Sequence, residues 1–484
     1  MKPLIDIQHL TAGIGPVALV RDISWTIKPG EHWMIRGATG SGKSSLCQAI
    51  SGKMHLRSGR ITYPFLGETP SFDQRRAAIQ MVSFTDSSRL FNPVETTHYY
   101  QQRYHAFDSE GHLTVREYLH RQGMDEANPD HQNLLKSFGL DGLLVRERIK
   151  LSSGQTRKLL LVKALLQQPA VLILDNACLG LDVGSVRVLY GLLEKVIRQR
   201  SISLVLTEPL PYVPEFITHT LTLAGGARLE EKSGSDAPTI PQEMDQSELK
   251  ELTDYFYSTD FSHRPESMVN LEDIHVKYLD ASIFEHFNWK VLPGEKWALR
   301  GPNGVGKSTL LALIYADHPQ VYSNRVHLFG QRRGHGDTIW EVKKRIGFSS
   351  PELHAYFHSK ASALDVILTG LEDRFELLHP PDPTAVRIAK AMLHYLGKTS
   401  LESQPFPTLS TGEQRLILFL RALIKAPKML LLDEPYQGLD EALIRQCNRL
   451  LENCLTRDHN LIFITHRIEE IPANVTHHLD LGSS

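Results

Sequence analysis

Two glycine-rich octapeptides do most to limit what this chain can fold into. Residues 37–44 read Gly-Ala-Thr-Gly-Ser-Gly-Lys-Ser, and residues 301–308 read Gly-Pro-Asn-Gly-Val-Gly-Lys-Ser. Each follows a short apolar segment, Trp33-Met-Ile-Arg36 or Trp297-Ala-Leu-Arg300. Each leads into a helical pattern, Ser45-Leu-Cys-Gln-Ala-Ile50 or Thr309-Leu-Leu-Ala-Leu-Ile314. Strand, glycine loop and helix in that order form a phosphate cradle. Gly37, Gly40 and Gly42, and Gly301, Gly304 and Gly306, let the backbone wrap an anion, with Asn303 inside the second loop. The N–H groups of the following helix then point at it. Lys43 and Lys307 can reach the β- and γ-phosphates of a nucleotide, and the hydroxyls of Ser44 and Ser308 can ligate Mg²⁺. One such match can be a glycine turn before a helix. Two matches in register within a duplicated chain cannot be dismissed that way.

The duplication extends well beyond the loops. Trp25 and Trp289 sit in Ile-Ser-Trp-Thr-Ile and Phe-Asn-Trp-Lys-Val. Each is followed by Pro-Gly-Glu and a second tryptophan: Pro29, Gly30, Glu31 and Trp33, then Pro293, Gly294, Glu295 and Trp297. Short Val/Ile/Leu runs alternate with helical patterns in both copies, which predicts mostly parallel sheets covered by helices. Between the copies lies a polar stretch with Pro238 and Pro241, expected to carry one short helix around Ser247–Phe256. The expected division is a first domain over 1–225, a linker over 226–267 and a second domain over 268–484.

Bulk properties narrow the function. Lys plus Arg number 53 and Asp plus Glu 55, so a net charge of −2 gives no general attraction to nucleic acid. Cys47, Cys178, Cys447 and Cys454 show no metal-ligand spacing and are expected to be reduced, buried thiols. No signal-peptide core and no apolar run long enough to span a bilayer is present, so a cytoplasmic protein is expected, with any membrane role left to a partner.

Further motifs follow in the same order in each copy. Val171-Leu-Ile-Leu-Asp175 and Met429-Leu-Leu-Leu-Asp433 are apolar strands ending in Asp. Such an Asp sits at the ligand-facing strand end of a parallel sheet and can hold Mg²⁺. Alone it could equally be an ordinary solvated acid. Upstream come Leu151-Ser-Ser-Gly-Gln155 and Leu409-Ser-Thr-Gly-Glu413, each placing a hydroxyl where a helix needs an N-cap. Downstream come Gly180-Leu-Asp182 and Gly438-Leu-Asp440, and finally Ile462-Phe-Ile-Thr-His466.

The set resembles the ABC (ATP-binding cassette) ATPases over nearly the whole chain: P-loop, signature, Walker B, D-loop and switch strand. The resemblance implies an α/β fold of two tandem P-loop NTPase domains, each with a helical subdomain and an antiparallel β subdomain. It implies ATP and Mg²⁺ as ligands and head-to-tail pairing of the domains. Each nucleotide is then gripped by one P-loop and the other domain's signature. One site combines Lys307, Asp433, Glu434 and His466 with Ser152, Gly154 and Gln155. The other combines Lys43, Asp175 and Asn176 with Ser410 and Gly412. Tyr278 lies where the family stacks an aromatic on adenine, and ordinary strand packing would serve it equally well.

The two sites are unequal. Glu434 and His466 match the family's general base and switch histidine, whereas the first copy holds Asn176 and Glu208 there, and Ile14 opposite Tyr278. An amide cannot take a proton from water, so the first site is expected to bind ATP and turn it over slowly or not at all. Neither copy has the family's glutamine after its edge strand. Thr85, Asp86 and Glu352 are the candidates to replace it.

The stretches Asp317–Asn324, Leu328–Gly334 and Thr338–Lys344 resemble the ModF-type tandem ATPases associated with molybdenum transport. Arg332, Arg333 and Lys343–Arg345 read as a solvated face. Two functions compete: the energising subunit of an importer of molybdate or a related solute working with a membrane permease, and a soluble tandem ATPase acting on ribosomes or another macromolecule. The acidic linker is shorter than the ribosome-acting group's, which favours the importer. A regulatory or repair-associated ATPase is a third reading.

Overall fold

The structure is a computed structural model. It describes residues 2–14, 17–84, 113–148, 151, 153–178, 181, 183–207, 213–228, 246–262, 264–278, 281–315, 317–334 and 338–482. The chain divides into two compact units, Met1–Gly234 and Ser235–Ser484.

In the first unit, strands β1 (Ile5–Ile14), β2 (Val17–Ile27), β3 (Trp33–Arg36), β4 (Leu56–Thr62), β5 (Ile79–Ser83), β6 (Val171–Asp175), β7 (Ser203–Thr207), β8 (His219–Ala224) and β9 (Ala227–Arg228) form two sheets. One has the order β2-β1-β4 and the other β5-β6-β7-β3-β8-β9. The first is antiparallel. The second is parallel up to its last pair.

The second unit repeats the plan. Its strands are β10 (Val269–Tyr278), β11 (Ala281–Val291), β12 (Lys296–Arg300), β13 (Arg325–Leu328), β14 (Gln331–Arg332), β15 (Ile346–Ser349), β16 (Met429–Asp433), β17 (Asn460–Ile464) and β18 (His477–Asp480). They give an antiparallel sheet β11-β10-β13-β14 and an all-parallel sheet β15-β16-β17-β12-β18.

Strand periodicity explains the continuous apolar runs. Val171 and Ile173 enter a core shared with the antiparallel sheet, while Leu172 and Leu174 enter a core shared with helices. Met429 and Leu431, against Leu430 and Leu432, divide in the same way. A strand covered on both faces has no polar side, which is why these segments lack alternation.

The Pro-Gly-Glu repeat also has a structural cause. Glu31 Oε2 accepts from Lys28 N at 2.9 Å and from Trp33 Nε1 at 3.0 Å. Glu295 Oε2 accepts from Leu292 N at 2.8 Å and Trp297 Nε1 at 3.0 Å. One carboxylate thus ties the turn to the indole that opens the next strand. Each pair of tryptophans meets edge to face, at 5.1 Å for Trp25–Trp33 and 5.4 Å for Trp289–Trp297. Gly294 has φ 87°, and a Cβ there would lie 2.2 Å from the Arg457 carbonyl oxygen.

The short helix expected between the copies is present at Gln246–Tyr257. It is no free spacer. Leu252 and Phe256 are fully buried in the second unit's helical core. The Tyr255 hydroxyl donates to Ile424 O at 2.7 Å and Thr259 Oγ1 to Ala426 O at 3.0 Å. The hairpin partner β9 at Ala227–Arg228 likewise belongs to the first unit's sheet.

The basic segments of the second unit are only partly a solvated face, contrary to expectation. Arg333 is buried. Lys343 Nζ lies 2.6 Å from Asp317 Oδ1, with both side chains largely covered, and sits over the Tyr315 ring. Arg345 lies over Phe329. All four cysteines are free and buried, as expected. Among the described residues no helix is long and apolar enough to cross a membrane.

Candidate functional site

The parallel sheet of each unit brings the glycine-rich loop and the aspartate of the neighbouring motif together at the carboxyl ends of its strands. Gly42 and Gly306 are the N-caps of helices Lys43–Ile50 and Lys307–Ile314, with φ of 94° and 101°. Only glycine takes that left-handed backbone cheaply. The helices start at the lysines, so Ser44, Ser45, Ser308 and Thr309 occupy their first turns. Lys43 Nζ donates to Gly37 O and Ala38 O at 2.7 and 2.9 Å. Lys307 Nζ donates to Gly301 O and Pro302 O at 2.7 and 3.0 Å. Each ammonium therefore spans its loop. Gly40, Asn303 and Gly304 lie in the turns beneath.

The Walker aspartates arrive from a different strand and meet the loop serines. Ser44 Oγ donates to Asp175 Oδ1, and Ser308 Oγ to Asp433 Oδ2, each at 2.9 Å. Asp175 also accepts from Thr207 Oγ1 at 2.5 Å and Ser83 Oγ at 3.4 Å. Burial raises its pKa, and these hydroxyls oppose the rise. Burial pushes Asp433 up to about 6, opposed by Ser308 and reinforced by the charge of Glu352. A serine and an aspartate facing one another are an all-oxygen donor set, which suits a hard cation such as Mg²⁺. A dication there would also relieve the burial penalty on each carboxylate.

The residue after each aspartate shows the asymmetry. Asn176 and Glu434 both adopt positive φ, 55° and 47°. Both backbone N–H groups donate to the neighbouring strand, to Thr207 O and Ile464 O, at 2.9 Å. The kink is shared and only the side chain differs. Asn enters the left-handed region more readily than Glu, so the second unit carries the costlier residue. Glu434 Oε1 is buried with no hydrogen bond, and His466 Nε2 lies 3.4 Å away. Burial raises the Glu434 pKa well above the usual carboxylate range, and the charges of Asp433 and Glu470 add to it. A buried, raised carboxylate beside an imidazole can accept a proton from a positioned water.

Ser410 is the N-cap of helix Thr411–Leu423, in a capping box with Glu413. Gly412 is buried in its first turn. Gly154 and Gln155 lie in the first turn of helix Ser153–Leu166. Ser152, Thr85, Asp86, Gly180, Asp182 and Glu208 fall outside the described residues, as does the Tyr278 side chain. The Tyr278 and Ile14 backbones occupy equivalent ends of the two hairpins, paired with Ala281 and Val17.

Sequence reading missed a pair of arginines. Arg157 Nη1 donates to Ala177 O at 2.8 Å, and Arg415 Nη1 donates to Gln437 Oε1. Each guanidinium ties a signature helix to the loop after its own unit's Walker aspartate. The charge of Arg415 also lowers the Asp433 and Glu434 pKa values. The available signal was position: both arginines lie two residues after the signature in the repeat.

The family model for the ABC transporter matches residues 20–179 and 284–437, one segment in each unit. The chain belongs to the ABC transporter family. It is 34% identical over 469 residues to the Escherichia coli "ABC transporter ATP-binding protein ModF", covering 94% of this chain and 92% of that one. An uncharacterised ABC transporter ATP-binding protein of Schizosaccharomyces pombe is 31% identical, over 96% of this chain and 95% of the relative. One from Saccharomyces cerevisiae is 27% identical, over 98% and 95%. The match over both units makes this a tandem ABC ATPase resembling ModF, which binds ATP and hydrolyses it to ADP and phosphate.

Proposed function

We propose that the two nucleotide sites divide their labour: the one on the second unit's P-loop turns ATP over, and the one on the first holds it. The observation that carries this is the shared left-handed kink bearing Glu434 in one unit and Asn176 in the other. In the turnover site, Glu434 takes the proton of the attacking water. His466 contacts the γ-phosphate, and Lys307 neutralises the phosphate charge. Ser308 and Asp433 would hold Mg²⁺, which would supply charge stabilisation to the phosphates. In the holding site, Lys43, Ser44 and Asp175 bind nucleotide and Mg²⁺, and Asn176 offers no base.

Both sites are composite in this proposal. Ser152, Gly154 and Gln155 complete the turnover site, and Ser410 and Gly412 complete the holding site. Glu413 supports the asymmetry, because its carboxylate sits in the first turn of the signature helix that this proposal assigns to the holding site. A negative charge there offsets the favourable helix-dipole end. Tyr278 is assigned to adenine stacking in the turnover site, and Glu352 to the role of the absent glutamine. The charge of Glu352 at Asp433 supports that assignment.

The chain then acts on the inner face of the cell membrane as the energising subunit of an importer, with molybdate or a related solute passing through a separate integral-membrane permease. The relatives' names support a transport system. The segments resembling the molybdenum-associated group support the cargo. Two measurements test these readings. A short pulse of labelled ATP, followed by rapid gel filtration, should leave ATP and ADP together on each chain; ADP alone contradicts a holding site. Membrane pull-down with Glu434→Gln should recover a permease, whereas ribosomal proteins would favour the macromolecule-acting reading.

A further inference from the structure

The antiparallel sheet of the second unit carries a cluster that the nucleotide sites do not use. Asp273, His275 and His286 each present a ligand atom, and these atoms lie within 4.8 Å of one another. Asp273 and His275 lie on β10 and His286 on β11. His286 Nδ1 is 2.7 Å from Asp273 Oδ1, and His275 Nε2 is 3.2 Å from the same oxygen. The imidazoles meet nearly edge to face, with centroids 4.4 Å apart and planes at 81°.

The internal repeat separates what the fold requires from what is added. At the equivalent place in the first unit, His9 and Asp22 carry the same kinks, with φ 49° and 48°, against 52° and 55° at Asp273 and His286. His9 Nδ1 is 2.8 Å from Asp22 Oδ1. A crossed His–Asp pair therefore belongs to the bulge in both units, with the residue types exchanged between strands. The third position differs. The first unit has Thr11, whose hydroxyl accepts from Asp22 N at 3.2 Å. The second has His275, which turns a pair into a face of three donors. Its backbone is clamped, because His275 N donates to Asn324 Oδ1 at 2.7 Å and Asn324 Nδ2 donates to His275 O at 3.0 Å. Asp273 N likewise donates to Asn288 Oδ1 at 2.8 Å. The donors are thus held in place by a sheet and by supporting amides.

We propose that Asp273, His275 and His286 form a surface binding site for a divalent transition-metal ion of the zinc or nickel type, present in the second unit and absent from the first. Two imidazoles and one carboxylate suit borderline ions of this kind over Mg²⁺ or Ca²⁺. Metal–ligand bonds near 2.0–2.2 Å place neighbouring donor atoms about 3.0–3.5 Å apart. An ion would therefore replace the 2.7 Å His286–Asp273 hydrogen bond by opening it slightly, within a group of donors already inside 4.8 Å of one another. The exposed side chains leave the remaining coordination positions to water, or to a donor from a partner.

The test uses the full chain without an affinity tag and without nucleotide. Zinc chloride and nickel chloride are titrated calorimetrically into wild type, His275→Gln, His286→Gln, the double variant and His9→Gln. The double variant measures background from the other histidines. Wild type should show one additional equivalent of tighter binding. Each single variant should weaken that site about tenfold or more, and His9→Gln should leave it unchanged. Wild-type isotherms indistinguishable from the double variant's, or equal loss in His9→Gln, would overturn the proposal. Cobalt gives a readout independent of affinity: its d–d absorption should change on binding to wild type and stay that of the aqueous ion with the double variant. The positions are exposed, so thermal melts by circular dichroism should coincide for all the proteins.

Discussion

Phe256→Ala tests whether the segment between the two copies is a tether or a part of the second unit. Phe256 is fully buried on helix Gln246–Tyr257, in the cluster that includes the signature helix. Its ring lies 6.2 Å from that of His459. Removing a buried phenylalanine ring costs about 3–5 kcal/mol. For a unit of this size each 1 kcal/mol lowers Tm by roughly 2–4 °C. The second unit's transition, followed by scanning calorimetry on the full chain, should therefore fall by about 6–20 °C. Tyr257, the adjacent residue, is 58% exposed. Tyr257→Ala should move the transition by no more than about 2 °C, because exposed substitutions stay within about 0.5 kcal/mol. Equal shifts for the two variants, or a shift below about 2 °C for Phe256→Ala, would refute the reasoning.

Three further outcomes follow from the same structure. Burial lowers His318 and His459 to about 4 from the ordinary 6.5. The unfolded chain therefore takes protons first, and stability is full above pH 6.5 and lost as pH falls toward 4. At pH 5 each histidine should cost about 2 kcal/mol. The raised Asp433 and Glu434 carboxyls act in the opposite direction over this range, so the check is by comparison. His318→Gln and His459→Gln should each lose less stability than wild type between pH 7.5 and 5, and equal losses would contradict this. Gly294→Ala puts a Cβ against the Arg457 carbonyl, whereas nothing lies within 4 Å of a Cβ at Gly30. Both carry the left-handed strain, so the first should lower stability by about 1–3 kcal/mol more than the second, measured as the difference in chemical denaturation. Ser308→Ala should raise the Mg²⁺ concentration for half-maximal ATPase activity about tenfold, and Ser44→Ala should move it less than twofold; equal shifts would show that both sites contribute to turnover.

Much of this was legible because the chain states it twice. The loops, Walker strands and signature helices are local patterns, and each depends on residue type at fixed spacing. What stayed hidden depends on contacts between distant segments. Nothing near Lys343 announces its pairing with Asp317, so a run of cations read as a solvated face. Arg415 looks like any helix cation until Gln437 is brought beside it. The polar stretch between the copies reads as a linker, because only the fold shows Leu252 and Phe256 meeting a core. The His275 cluster escaped for the same reason: its ligands come from two strands across a bulge, with no compact motif.

The central claim is that one site does the chemistry, and the most direct measurement is steady-state ATPase activity of Glu434→Gln beside Asn176→Ala. Removing a general base costs about 10²–10⁴ in rate. Glu434→Gln should fall by that factor while still binding ATP, and Asn176→Ala should stay within about twofold of wild type. Equal losses in the two variants, or full activity in Glu434→Gln, would contradict the division of labour between the sites.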